Sequence, residues 1–316
     1  MRTARANRRP SRPVENLNEK LSKWHGMTPL QALQSVNADW KAEVLPIYGQ
    51  RMVDGKAEML PLEGKVGIYN PLNWQALGVA GEGYTPLSNR VLADSMSQLA
   101  EALEKPIEVT EAFNTDNGRL VGLSGKIGDG TSIIPGDDVV PIVSIVQGNA
   151  ANHLLKFNFA LMRLVCSNGM RAAVDGMSAI FSIRHTKTIE ARYSWNFDAV
   201  LRNFAVVENN MLNNFRKFAE FKMDKAAAQA FFSEIAKIKG DKDDKAKQTV
   251  SELFEVWNHP RQVMAGETLW RAYNASTEYL QHWGFRDNES MLVANLDGKA
   301  TEHKDAAYQL ALTLAS

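Results

Sequence analysis

A lone cysteine, Cys166, is the only thiol in this 316-residue chain. No intramolecular disulfide can form, and the fold does not depend on an oxidising compartment. Long apolar runs are also missing, since none approaches the roughly 18 to 20 residues that cross a bilayer. The N-terminus lacks the apolar middle section of a secretory signal, so a cytoplasmic protein is the expectation. Histidine pairs at metal-binding spacing are absent too: His25, His153, His185, His259, His282 and His303 lie scattered, with no H-x-x-H or H-E-x-x-H. "GDGTSIIPGDD" does not have the spacing of a calcium loop, and "GVAGEG" lacks the lysine of a Walker A loop. Neither a metal nor a cofactor is expected, and nucleotide hydrolysis has no support.

Net charge is zero, with 36 Lys and Arg against 36 Asp and Glu. The balance hides an asymmetry. Residues 1–13, "MRTARANRRPSRP", carry five arginines (Arg2, Arg5, Arg8, Arg9, Arg12) and no acid. Without those five the rest holds 31 bases against 36 acids, a net −5. With two prolines and no apolar period, residues 1–20 read as a basic disordered arm, able to contact phosphates by counterion release or simply to stay solvated.

Hydrophobic residues at 45% and charged residues at 23% are ordinary for a globular protein with a sizeable core. Thr28 before Pro29 marks a short helix. From Val44 to Asn89, β-compatible runs broken by Asn-Pro and Gly-rich turns predict two or three strands. Val91, Leu92, Met96, Leu99 and Leu103 then recur at helical spacing and stop before Pro106. Strand signals return in "IEVTEAFNTDNGRLVGLSGKIG", whose Asp116-Asn117-Gly118 suits a hairpin turn. They continue through "DDVVPIVSIVQGNA", "LLKFNFALMRLVCSNGM" and "SAIFSIRHTKTIEARYSW". From Phe197 the apolar residues follow a helical period, and further helices are expected over 224–238, 245–257 and 266–283. The charged stretch "KGDKDDKAK" reads as an exposed connector. The fold class is therefore α+β: an antiparallel β-rich core over 21–195 with packed helices, then a helical C-terminal region over 196–316.

Three constellations could carry chemistry. Cys166 could act as a nucleophile with His185 as base and Asn168 as orienter, but Leu164-Val165 before it favours a buried thiol, and Asn168-Gly169 a turn. In "FSIRHTKTIEARYSW", Arg184, His185, Lys187 and Arg192 could hold phosphates while Tyr193 or Trp195 stacks on bases. Arg163 and Arg171 flank the cysteine turn and could join that surface; the alternative, favoured for any one residue, is that alternate residues face solvent while Tyr193 and Trp195 pack in the core. In "GETLWRAYNASTEYLQHWGF", Asn274, Glu278 and His282 form a polar line at i, i+4, i+8. It could line a groove, bond back to the sheet, or be the wet face, which is the commoner case.

"RLVCSNGM" followed by "RHT", and later Trp270, Asn274, Ala275, Thr277, Glu278 and Tyr279 in a W-x-x-x-N-A-x-T-E-Y pattern, resemble the phage/plasmid-like proteins, domain of unknown function 932. "LGVAGEGYTPLSN" is similar to that family's strand-turn segment, so the resemblance runs from about Asn70 to the C-terminus. One departure is visible. Where many members have an "SHDGS"-like turn, this chain reads "VQGNAANH" from Val146 to His153.

The resemblance implies a gene of phages, plasmids or related mobile elements, hence the cytoplasm of a bacterial host, and implies no enzymatic activity. The expected function is nucleic-acid binding in phage or plasmid DNA metabolism: single-stranded DNA binding or annealing in recombination or replication, by a homo-oligomer with no membrane partner. Annealing needs a basic, aromatic-bearing groove and no catalytic residues. The alternative is a phage-encoded protein-interaction factor, such as a host-defence inhibitor or an assembly component. The enzymatic reading rests on Cys166 and His185 alone.

Overall fold

The computed structural model describes residues 17–151, 153–164, 169–170, 181–285, 290–291, 294–295 and 298–316. Two short helices lead in, α1 (Leu17–Trp24) and α2 (Pro29–Ser35). At the start of α2 the Gln31 N–H donates to Thr28 Oγ1 (3.2 Å), and the Thr28 N–H donates to Gln31 Oε1 (2.9 Å). This capping box satisfies two end donors reciprocally, with proline in the first turn as the sequence predicts.

The chain then builds a three-stranded antiparallel sheet from β1 (Glu43–Val53), β2 (Lys56–Tyr69) and β3 (Ala76–Gly81), in that spatial order. Asp54 and Gly55, with φ of 51° and 75°, close the β1–β2 hairpin in the left-handed conformation that two-residue hairpin loops require. The helix α3 (Val91–Leu103) buries Leu92, Met96 and Leu99 and ends at Glu104 in the left-handed region, just before Pro106.

Seven strands form the second sheet: β4 (Ile107–Thr115), β5 (Leu120–Ile127), β6 (Thr131–Ile134), β7 (Asp137–Gly148), β8 (Leu155–Arg163), β9 (Gly169–Met170) and β10 (Phe181–Ile183). Their order is β10-β8-β7-β5-β4, with β6 paired to β7 and β9 to β8, all antiparallel. The expected turn at Asn117-Gly118 joins β4 to β5, and Gly118 (φ 101°) sits where any Cβ would strike the Trp40 ring.

Both faces of the sheet's centre are buried, which is why β7 and β8 read as nearly unbroken apolar runs. The two-residue alternation survives within them. Val139, Val143, Ile145, Leu155, Phe157, Phe159 and Leu161 enter the main core. Val140, Ile142 and Met162 form a smaller cluster on the other face, against Leu21 of α1.

The helical part comprises α4 (Ile189–Glu220), α5 (Lys225–Ile238), α6 (Asp243–Trp257), α7 (Pro260–Val263), α8 (Leu269–His282) and α9 (Lys299–Ala315). All fourteen residues of α8 are buried, with α4, α5, α6 and α9 packed around them. Phe215 and Phe218 of α4, Trp270 and Tyr273 of α8 and Tyr308 of α9 form a ring cluster, with centroids 4.8–6.3 Å apart. One core cluster runs from Trp24 to Ala311 through both parts of the chain. The fold is α+β. No helix among the described residues is long and apolar enough to cross a membrane.

Three local expectations change. The span "FSIRHTKTIEARYSW" is not one strand, because β10 stops at Ile183 and α4 begins at Ile189. Ile189, Tyr193 and Phe197 stand four apart and share a helix face, so the boundary at residue 195 falls inside a continuous helix. The connector "KGDKDDKAK" is only partly solvated. Asp241 is buried, accepts from Thr249 Oγ1 (2.7 Å) and pairs with Lys239 and Lys245. Finally, Asn274, Glu278 and His282 are buried rather than on a wet face, because the surrounding helices and the end of the sheet enclose α8.

Candidate functional site

Two clusters draw together the residues of these motifs, and they stand at opposite ends of β7. The first is closed. Arg163, the last residue of β8, reaches Asp137, the first of β7, in a bidentate pair: Nε bonds to Oδ1 and Nη2 to Oδ2 at 2.7 Å. Both side chains are fully buried. Arg163 Nη1 donates to Gln262 Oε1 (2.6 Å), and Nη2 also donates to the Arg261 carbonyl (3.0 Å). Trp270 Nε1 donates to Asp137 Oδ2 (2.8 Å). Glu278 accepts from Gln262 Nε2 (2.9 Å) and forms a forked pair with Arg261.

The arginine of "RLVCSNG" and the tryptophan and glutamate of the W-x-x-x-N-A-x-T-E-Y segment are thus one polar network. It ties the end of the sheet to α7 and α8. Buried ionic groups hold their charge only when so many donors and acceptors converge. Chemically this cluster is saturated, and it serves as a clamp.

The second cluster is open. A groove of about 640 Å³ is lined by Lys65, Tyr84, His153, Arg184, His185 and Thr186, with Gly81 and Gly83 on its rim. Lys65 comes from β2 and Tyr84 from the turn after β3. His153 comes from the β7–β8 connection, and the other three follow β10. Tyr84 and His185 stack with centroids 5.2 Å apart, and the Tyr84 hydroxyl donates to the Asn149 carbonyl (3.3 Å). His185 Nδ1 lies 3.3 Å from the Thr85 carbonyl; because a carbonyl only accepts, this nitrogen carries the proton. Burial lowers the His185 pKa, opposed by the backbone carbonyls of Thr85 and Gly148. The imidazole is therefore neutral at pH 7, and burial raises the Tyr84 hydroxyl well above its usual range.

Arg184 and Lys65 are exposed lining residues of this groove, and Lys187 and Arg192 are exposed on the chain that follows Thr186. Glu82 stands near the rim with its carboxylate bonded to the Gly64 N–H (3.1 Å). The "VQGNAANH" turn supplies Ala151 and His153 to the wall, and Gly148 is the position that lets His153 fold back, since any Cβ there would collide with it.

The expected nucleic-acid residues divide accordingly. Arg184 and His185 line the groove, with Lys187 and Arg192 beside it. Arg163 does not join that surface: it is sealed in the clamp, and the register of β8 and β10 (Ile183 opposite Leu155) leaves it at the far end of the strand. Tyr193 is half-buried on α4, with its ring beside Phe157 and Phe197 and its hydroxyl 2.5 Å from Ser95 Oγ. It is a packing residue, not an open stacking platform. Trp195 lies on the same helix, its side chain outside the described set. Arg171, Cys166, Asn168 and the arm arginines Arg2, Arg5, Arg8, Arg9 and Arg12 also lie outside the described residues. Among the described residues no group of three or more His, Cys, Asp or Glu is placed to hold a metal ion.

Sequence reasoning missed Lys65, Tyr84 and His153. Tyr84 sits in the "LGVAGEGY" segment, and its neighbours Gly81 and Gly83 were the available signal. Nothing local marks Lys65, which joins the groove through the pairing of β2 with β3, or His153, which joins it through the fold-back after Gly148.

The family model described as Domain of unknown function (DUF932) matches residues 76–307. This interval begins at β3 and ends in α9, and it contains both clusters apart from Lys65. No curated protein and no solved structure matches the chain.

Proposed function

We propose, for a chain that belongs to the family called domain of unknown function 932, that it binds single-stranded nucleic acid along the Tyr84–His185 groove. The observation that carries this reading is the groove itself, whose lining holds the stacked Tyr84–His185 pair together with the exposed cations Lys65 and Arg184, while Lys187 and Arg192 are exposed on the chain that follows. Cations along a groove hold a phosphate backbone, and aromatic faces accept bases with little regard to sequence. His185, buried and neutral, backs the half-buried Tyr84 ring without adding charge, so Tyr84 is the ring that would meet a base. The five arginines of residues 1–13 would add non-specific attraction.

The reading extends to phage or plasmid DNA metabolism, with annealing or strand protection as the task, because the groove needs no catalytic group for either. It departs from the simpler surface expected from sequence in one respect: Arg163 and Tyr193 have no part in it. The test is binding of a labelled oligothymidylate, read by fluorescence anisotropy across a salt series. Affinity that weakens steeply with salt supports the reading. No binding of single or double strands at low salt overturns it.

A further inference from the structure

We infer that the β1–β2 hairpin is a self-association surface that seats the same hairpin of a second copy of this chain. From Gln50 to Lys65 every residue is exposed, so nothing among the described residues covers either side of this ribbon. A two-stranded ribbon without a covering layer is marginal in water, and this one is rich in large apolar side chains.

The pairing register sorts those side chains into two faces, because directly opposed residues share a side and successive residues alternate. One face holds Tyr48 opposite Pro61, Gln50 opposite Met59, and Met52 opposite Ala57. The other holds Gly49 opposite Leu60, Arg51 opposite Glu58, and Val53 opposite Lys56. Every charge on this paired stretch therefore lies on the second face, where Arg51 and Glu58 pair at 2.7 Å. The first face carries none, although Tyr48, Met52 and Met59 are 55%, 65% and 59% exposed.

An uncharged apolar face excludes a phosphate backbone or an anionic bilayer as its occupant, since neither would find a cation there. The basic N-terminal arm is equally unsuited. Over the paired stretch a copy of the same face meets it with no like-charge contact and no stranded ion, the condition a two-fold isologous contact must satisfy, and Glu63, one alternation beyond Pro61, marks where the neutral patch ends. Gln50, central on the face, both donates and accepts, so it can bond to its own counterpart. The contact is face to face rather than edge to edge. Pro46 and the register break between Pro46 and Tyr48 blunt the free edge of β1, which disfavours open-ended strand addition. A closed pair of ribbons at the usual sheet spacing of about 10 Å is the result.

None of the six residues on this face lines the groove, so the nucleic-acid reading and this one fail separately. The experiment is light scattering after size exclusion on the full chain at tens of micromolar, with Met52→Glu/Met59→Glu compared with Leu60→Glu on the opposite face. A dimer in the wild type and in Leu60→Glu, with a monomer in the double variant of unchanged circular dichroism, is the expected result. A monomeric wild type overturns the inference, as does a double variant that stays dimeric or a single variant that dissociates equally. Binding of neutral phosphatidylcholine vesicles by a monomeric wild type would reassign the face to a lipid surface and likewise overturn it.

Discussion

The Arg163 guanidinium and the Asp137 carboxylate meet in a fully buried bidentate pair, joining the first residue of one central strand to the last residue of its neighbour. Trp270 bonds to the same carboxylate and Gln262 to the same guanidinium. The helical part is therefore bolted to the sheet at this end through one ion pair.

Removing one partner leaves the other charge stranded, a loss of about 3–5 kcal/mol for a buried pair. Arg163→Met is expected to cost that much in urea denaturation, and Asp137→Asn somewhat less, because the amide oxygen can still accept from Trp270. The double substitution Asp137→Leu/Arg163→Met should recover part of the loss but not all, since Trp270 Nε1 and Gln262 Oε1 keep no partner in the pair. An Arg163→Met protein within about 1 kcal/mol of wild type would show that the clamp is not structural.

His185 predicts the sign of a pH dependence. Its folded pKa lies below the usual 6.5 because burial penalises the imidazolium. The unfolded chain thus takes up the proton first, and stability that is full above about pH 6.5 falls as the pH drops towards the folded pKa. His259 and His303 are lowered in the same sense, chiefly by burial, with the cations Arg261 and Lys239 adding to the effect. Arg184 and His153 line the same groove as His185 and add no anion that would reverse the sign. Melting temperature should therefore decline from about pH 7 to pH 5, and His185→Gln should flatten the decline. A midpoint that rises on acidification would refute the assignment of a neutral, buried imidazole.

Gly148 is a test of the groove wall. A methyl group there would overlap both the side chain and the backbone of His153, so the turn before β8 would have to move. Overpacking of this kind costs about 1–3 kcal/mol. Gly148→Ala is expected to lower stability by that amount and to weaken oligonucleotide binding. By contrast, a methyl at Gly78 would meet its nearest neighbour at an ordinary 3.6 Å, and Gly78→Ala is the matched control.

Much of this fold is legible in the residues because local signals agree with tertiary ones. Thr28 with Pro29, Asn117 with Gly118, and the stripe of Leu92, Met96 and Leu99 each specify a cap, a turn or a face without help from elsewhere. The failures have a common cause. Ile189, Tyr193 and Trp195 are strand formers by propensity, yet they sit on a helix whose buried face meets Phe157. Asn274 and Glu278 look like a wet stripe until the surrounding helices and a sheet close round them. The groove was half legible: Arg184 and His185 announce themselves by charge and ring, while Lys65 and His153 arrive only through the pairing of β2 with β3 and the fold-back after Gly148. The clamp was legible as a set of motif residues, but its closure across 133 residues from Asp137 to Trp270 was not.

The division of the arginines into clamp and groove gives the sharpest test of the nucleic-acid reading. Each phosphate that a single-stranded complex neutralises adds about 0.7 to the steepness of log K against log salt. Arg184→Ala should therefore weaken binding and flatten the slope by about that amount, and Arg184→Ala/Lys187→Ala/Arg192→Ala by up to about three times as much. Tyr84→Leu should weaken binding with the slope unchanged, because stacking releases no counterions. Arg163→Met separates the two clusters: at a temperature where it stays folded, its slope should match that of wild type. If Arg163→Met changes the slope while Arg184→Ala does not, the strand is held at the other end of β7, and the Tyr84–His185 groove is not where it binds.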